Sequence, residues 1–138
     1  MRRAERAEHS GGVEVLATVR GAPPAARVRA WTRRLLSKAG AKRASLSVLL
    51  CGDARMRSLN RHWRGLDRAT DVLSFSPFEE SSLSRAVGRR TPFLGDLVID
   101  VRYAARQARR RGHSPGREVQ ILLAHGLLLV RPCRSLGH

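Results

Sequence analysis

The apolar residues of this chain change their spacing repeatedly, from every second residue to every third or fourth and back, and only a fold that interleaves strands with helices buries both patterns. Val13, Val15, Ala17 and Val19 alternate with Glu14, Leu16 and Thr18, the two-residue period of a half-buried strand over Val13–Val19. Pro23 and Pro24 then suit a helix start, Val28, Trp31, Leu35 and Ala39 recur at helical steps, and Gly40 stops the helix. Leu46, Val48 and Leu50 alternate with Ser45, Ser47 and Leu49 as a second strand. Asp53 is a plausible N-cap for a helix that carries Met56, Leu59 and Trp63 on one face and ends at Gly65. Val72–Phe75 reads as a third strand closed by Pro77, and Leu94–Val101 as a fourth. Tyr103–Arg111 is a basic helix ended by Gly112. Ser114 and Pro115 open a last helix whose apolar face is Val119, Leu122, Leu123, Leu127 and Val130, with Pro132 as its terminator. The order β, α, β, α, β, β, α, α predicts an α+β fold: a small mixed four-stranded sheet covered by helices.

With 138 residues the chain has room for one core. Met1–Gly12 reads as a basic flexible N-terminus, and 13–138 as a single domain. Aromatics are only 4% of the residues, so the core must be built mainly from Leu, Val and Ala. Lys plus Arg is 27 against 11 for Asp plus Glu, a formal net charge of +16, which attracts polyanions over long distances. The excess is mostly Arg, whose planar fork grips phosphate, and this favours nucleic acid over an anionic membrane. An Arg-rich composition inherited from a GC-rich genome is the competing explanation. The N-terminus holds no apolar run that could act as a signal peptide or a membrane span, so a cytoplasmic protein is expected. Cys51 and Cys133 lack the spacing of a zinc knuckle or a redox motif; Cys51 suits the core. A polar stretch, Phe78–Phe93, separates the third and fourth strands, and a loop of that length is either functional or mobile.

Three segments carry a resemblance. The run from Leu59-Asn60-Arg61-His62-Trp63-Arg64-Gly65 through Thr70-Asp71-Val72-Leu73-Ser74-Phe75, the strand Leu94-Gly95-Asp96-Leu97-Val98-Ile99, and Ala124-His125-Gly126-Leu127-Leu128 occur in the order expected of the YbeY family. Taken singly, Thr70-Asp71 could be a turn-to-strand junction, Gly95-Asp96 a bulge and Asn60 a polar group at a helix end; their order and spacing favour the resemblance. The YbeY proteins are endoribonucleases of ribosomal RNA maturation. The resemblance therefore implies a metal-dependent, single-strand-specific endoribonuclease that processes the 3′ end of 16S ribosomal RNA and serves ribosome quality control. Its expected partners are ribosomal RNA and the ribosomal subunit, with no membrane and no DNA.

The resemblance also implies that Arg64 is needed for cleavage, where a fixed guanidinium can bind the scissile phosphate and offset charge developing on its oxygens. Arg61, Arg68, Arg109 and Arg110 join Arg64 as candidate RNA contacts. For Arg109 and Arg110, a stabilising role at the end of a helix dipole is the alternative. The implied cofactor is one zinc ion held by three histidines, His-Gly-x-x-His and a third six residues on. His125 stands at the first of these positions, whereas Leu129 and Ser135 stand at the second and third; His138 is a further candidate ligand. Weak zinc binding is expected. From Leu129 to His138 the chain shows no periodicity, which suggests a truncation or frame change after about Leu128.

Two readings from different classes follow: an endoribonuclease, or a basic RNA-docking module of the same fold that does not cleave. A zinc peptidase ranks below both, because no His-Glu-x-x-His supplies ligands and a general base. A helix-turn-helix regulator is also weak, since no second helix offers a polar recognition face.

Overall fold

The computed structural model describes residues 12–77 and 92–130. Its elements run β1 (Val13–Ala17), α1 (Ala25–Lys38), β2 (Ser45–Cys51), α2 (Asp53–Arg64), β3 (Val72–Phe75), β4 (Phe93–Asp100), α3 (Val101–Arg111) and α4 (Pro115–Val130). The expected order and α+β class are what the molecule shows. The strands form one mixed sheet in the order β1-β2-β4-β3, with β1, β2 and β4 parallel and β3 antiparallel at the edge.

Alternation sends strand residues to two different cores. Leu46, Val48, Leu50, Leu97 and Ile99 meet Val28 and Leu36 of α1, Val101 and Ala104 of α3, and Val119, Leu122, Leu123 and Leu127 of α4. On the opposite face Leu49, Cys51, Leu73, Phe75 and Val98 pack against Met56, Leu59 and Trp63 of α2. Leu49, which alternation alone places among the outward residues of the second strand, is therefore buried. A central strand in a sheet covered on both sides has no solvent face. The apolar face expected of α4 is buried in full, while Leu128 and Leu129 remain 66% and 72% exposed.

Several boundaries move for identifiable reasons. β1 stops at Ala17 rather than Val19, because its partner turns away at Gly52 and the Thr18 amide takes the last ladder bond, to the Leu50 carbonyl at 2.9 Å. Asp53 is not the N-cap of α2. Gly52 occupies that position, and the Asp53 carboxylate is held instead by the Arg106 guanidinium at 2.9 and 3.1 Å. A bidentate ionic pair is a stronger competitor than a backbone cap. α3 begins at Val101, two residues before Tyr103, since Asp100 caps it by accepting the Arg102 and Tyr103 amides at 3.0 and 3.1 Å. The strand thus runs straight into the helix. Ser114 caps α4 as expected, its hydroxyl accepting the Arg117 amide at 3.1 Å. Residues 78–91, most of the polar stretch between the third and fourth strands, lie outside the described residues, as do the basic N-terminus to residue 11 and Pro132.

Gly95 shows why the sheet is interrupted where it is. Three β2 residues, Ser45 to Ser47, oppose four of β4, Phe93 to Asp96, so β4 bulges there. Gly95 has φ +134°, and a Cβ on it would overlap the Phe75 carbonyl oxygen. Only glycine fits a backbone that approaches a neighbouring strand this closely.

Candidate functional site

The segment from Asn60 to Phe75 is built to aim one guanidinium across the sheet edge. α2 ends when Gly65 takes a left-handed conformation, φ +76°, and its amide bonds to the Arg61 carbonyl at 3.1 Å. The connection back to β3 is then tied down twice. Buried Asn60 donates from Nδ2 to the Arg68 carbonyl at 2.9 Å. Arg57 grips Asp67 at 2.8 and 3.0 Å and holds that carboxyl below its ordinary range. Thr70-Asp71 is a turn-to-strand junction here: the Asp71 carboxylate accepts the Val72 amide at 2.7 Å and opens β3.

Within this frame Arg64 lies over the Phe75 ring, 4.7 Å from its centroid, and donates to the Ser74 carbonyl at 2.8 Å. β3 is an edge strand, so Ser74 has a carbonyl that no strand neighbour takes, and Arg64 uses it as an anchor. On the other side of the same residue, the Ser74 hydroxyl donates to the Gly126 carbonyl of α4 at 3.3 Å. Gly126 permits this approach, since a Cβ there would stand 2.9 Å from Leu97 Cδ2 and 3.4 Å from Ser74 Oγ. Arg64 and the His125-Gly126 step, 61 residues apart in sequence, are thereby joined through one serine.

The other candidate RNA contacts fall into two groups. Arg61, near the end of α2, and Arg68, in the turn after it, are exposed, with Arg61 3.8 Å from Asp67. Arg109 and Arg110 are exposed on the last turn of α3, which packs with α4 in the other core layer. His125 is exposed on α4, so it is not a core histidine. His138, Cys133 and Ser135 lie outside the described residues.

The donor chemistry around His125 does not fit a three-histidine zinc site among the described residues. The position one helical turn on is Leu129, which has no lone pair to give, and no group of three or more His, Cys, Asp or Glu is placed to hold a metal ion there. One imidazole alone is a weak ligand set.

A buried polar network that the sequence reading passed over supports α4 from behind. Glu118, with no exposed surface, accepts from Gln107 Nε2 and Arg111 at 2.8 Å each and pairs with His113 at 2.5 Å. Gln107 also reaches Asp71 at 3.2 Å, which links α3, α4 and the start of β3. A signal existed: Glu118 lies one turn before Leu122, on the face of the helix that goes inward, and a carboxylate there demands partners.

Comparison with known proteins places the chain in a family. The family model described as "Endoribonuclease YbeY" matches residues 20–130. The "Endoribonuclease YbeY" of Anaeromyxobacter sp. (strain Fw109-5) is 47% identical over 109 residues, which cover 79% of this chain and 53% of that protein. That of Thermus thermophilus is 42% identical over 101 residues, 73% of this chain and 69% of the relative. A solution structure of a Thermotoga maritima protein superposes with a TM-score of 0.59 at 21% identity, over 87% of this chain and 73% of the other, and shows the likeness of fold. The chain spans about half the length of the Anaeromyxobacter relatives it matches, 53% and 52%. The match runs through every element that fixes Arg64 against Ser74 and α4, and the chain belongs to the YbeY endoribonuclease family.

Proposed function

We propose that this chain acts on RNA in ribosomal RNA maturation, as an endoribonuclease in which Arg64 holds the scissile phosphate. The observation that carries the reading is the anchored guanidinium: Arg64 is fixed by the Ser74 carbonyl and the Phe75 ring at the place where α4 brings His125 and Gly126. A cation already oriented stabilises charge on phosphate oxygens without the cost of ordering a free side chain. Arg61 and Arg68 extend the positive surface along the same turn. Single-stranded ribosomal RNA near the 3′ end of 16S ribosomal RNA is the proposed substrate, with the ribosomal subunit as partner and a role in ribosome quality control. The proposed location is the cytoplasm, and no helix of the described residues is long and apolar enough to cross a membrane.

A second reading has its own observation. Leu129, 72% exposed one turn after His125, favours a module that docks on RNA without cutting it. We propose zinc as the family's cofactor and expect this chain to hold it weakly, because one imidazole cannot close a three-ligand site.

The test combines native mass spectrometry for zinc, binding of a labelled single-stranded RNA, and cleavage of the same RNA, for the wild type and Arg64→Ala. If the chain cleaves, Arg64→Ala should lower cleavage at least about 100-fold while changing binding less than about threefold. Equal losses would reduce Arg64 to a docking contact. Salt-sensitive binding without cleavage would establish the second reading, and an absence of RNA binding would refute both.

A further inference from the structure

The acidic residues of this chain are unevenly placed. From Val15 to Gly52 there are eight cations and no Asp or Glu. Elsewhere acidic residues match part of the positive charge: Arg57 and Arg61 face Asp67, Arg106 holds Asp53, and Arg111 holds Glu118. On α1 and the turn after it, Arg27, Arg33, Arg34, Lys38, Lys42 and Arg43 are exposed, and none of the six forms an ion pair among the described residues. Arg29 is the exception in the segment, its Nε donating to the Val13 carbonyl at 3.3 Å.

The helix turns this excess into a surface. Val28, Thr32 and Leu36 are buried against the sheet, which fixes the rotation of α1. Arg27, Arg34 and Lys38 then fall within about 40° of one another around the helix and span about 16 Å along it, a line of charge that several consecutive phosphates can follow. Ala26, Ala30 and Ser37 complete the exposed side. No large apolar residue points outward there, and an interfacial membrane helix needs one. Unmatched cations with a small polar background suit a phosphodiester backbone.

We infer that the exposed side of α1 is a second RNA-docking surface, lying on the opposite face of the sheet from the helix that carries Arg64 and contacting RNA backbone independently of base sequence. This rests on the reading of the chain as a protein that acts on RNA. The surface would hold a large structured RNA, or a long single strand, at a second point while another stretch meets Arg64.

The test compares two double variants of equal charge loss in the full chain, Arg34→Gln with Lys38→Gln and Arg55→Gln with Arg102→Gln. Arg55 and Arg102 are likewise exposed. Anisotropy of a labelled unstructured RNA long enough to reach both surfaces is titrated at several salt concentrations, and circular dichroism checks the fold. The α1 variant should bind about tenfold more weakly at low salt, with the slope of log K against log salt reduced by about 1.4, two single-strand phosphate contacts. The Arg55/Arg102 variant should stay within about twofold of wild type. Equal losses in both variants, or none in either, would overturn the α1 surface, as would a loss confined to binding of phosphatidylserine vesicles. A wild type that does not bind RNA at all would instead refute the functional reading on which the surface rests.

Discussion

Replacing Asp100 by Asn should stabilise the protein far more at pH 8 than at pH 5. Asp100 is buried at the junction of β4 and α3. Its Oδ1 accepts two amides, and its Oδ2 meets no donor among the described residues. Burial, and next to it the Asp53 carboxylate, push Asp100 up from 3.8 to about 7, against the opposing pull of the Tyr103 and Arg102 amides. Asp53 moves the other way because Arg106 holds its charge and a protonated Asp100 can donate to it. A carboxyl whose pKa is raised by folding contributes stability that is fully present below its unfolded value and is lost as pH rises through the folded one. For 3.8 and about 7, the contribution is about 3 kcal/mol at pH 5 and close to zero at pH 8. Asparagine keeps the Oδ1 cap and offers Asp53 an N–H donor at every pH. The stability of Asp100→Asn relative to wild type should therefore rise by about 2–3 kcal/mol from pH 5 to pH 8, read from urea unfolding curves at both values with unchanged slopes. A difference between variant and wild type that is the same at both pH values would refute the reasoning, since it would mean that Asp100 is ionised in the folded protein throughout.

Gly95→Ala should cost more than about 3 kcal/mol or prevent soluble expression, because it forces a side chain at φ +134° into the Phe75 carbonyl; near-wild-type unfolding would contradict the close approach. Gly126→Ala should cost about 1–3 kcal/mol through crowding of buried Leu97, and Leu97→Ala in the same chain should relieve most of that term in a double-mutant cycle. Additive effects would place the strain elsewhere. Glu118→Ala should cost about 3–5 kcal/mol, since it leaves Gln107 and Arg111 without their shared carboxylate; a change below about 1 kcal/mol would show that the network is not holding α4.

What could be read from the sequence was what is written within a few residues. The order of elements, the Gly65 and Gly112 stops, the Ser114 cap and the inward face of α4 follow from periodicity and backbone preference, which act over one or two turns. The family resemblance adds Arg64 and His125 as residues to watch, but no periodicity links their two segments. Only the tertiary structure decided the strand order β1-β2-β4-β3, the second buried face that takes Leu49 and Cys51, and the choice of Asp53 to hold Arg106 while Asp100 caps α3. Ser74 as the joint between Arg64 and Gly126, and Gln107 between Asp71 and Glu118, belong to the same class. In each case a polar or apolar group had several partners available along the chain. The one it takes is set by which of them the packed core brings within reach and which alternatives it cuts off from water, and that is a property of distant segments acting together.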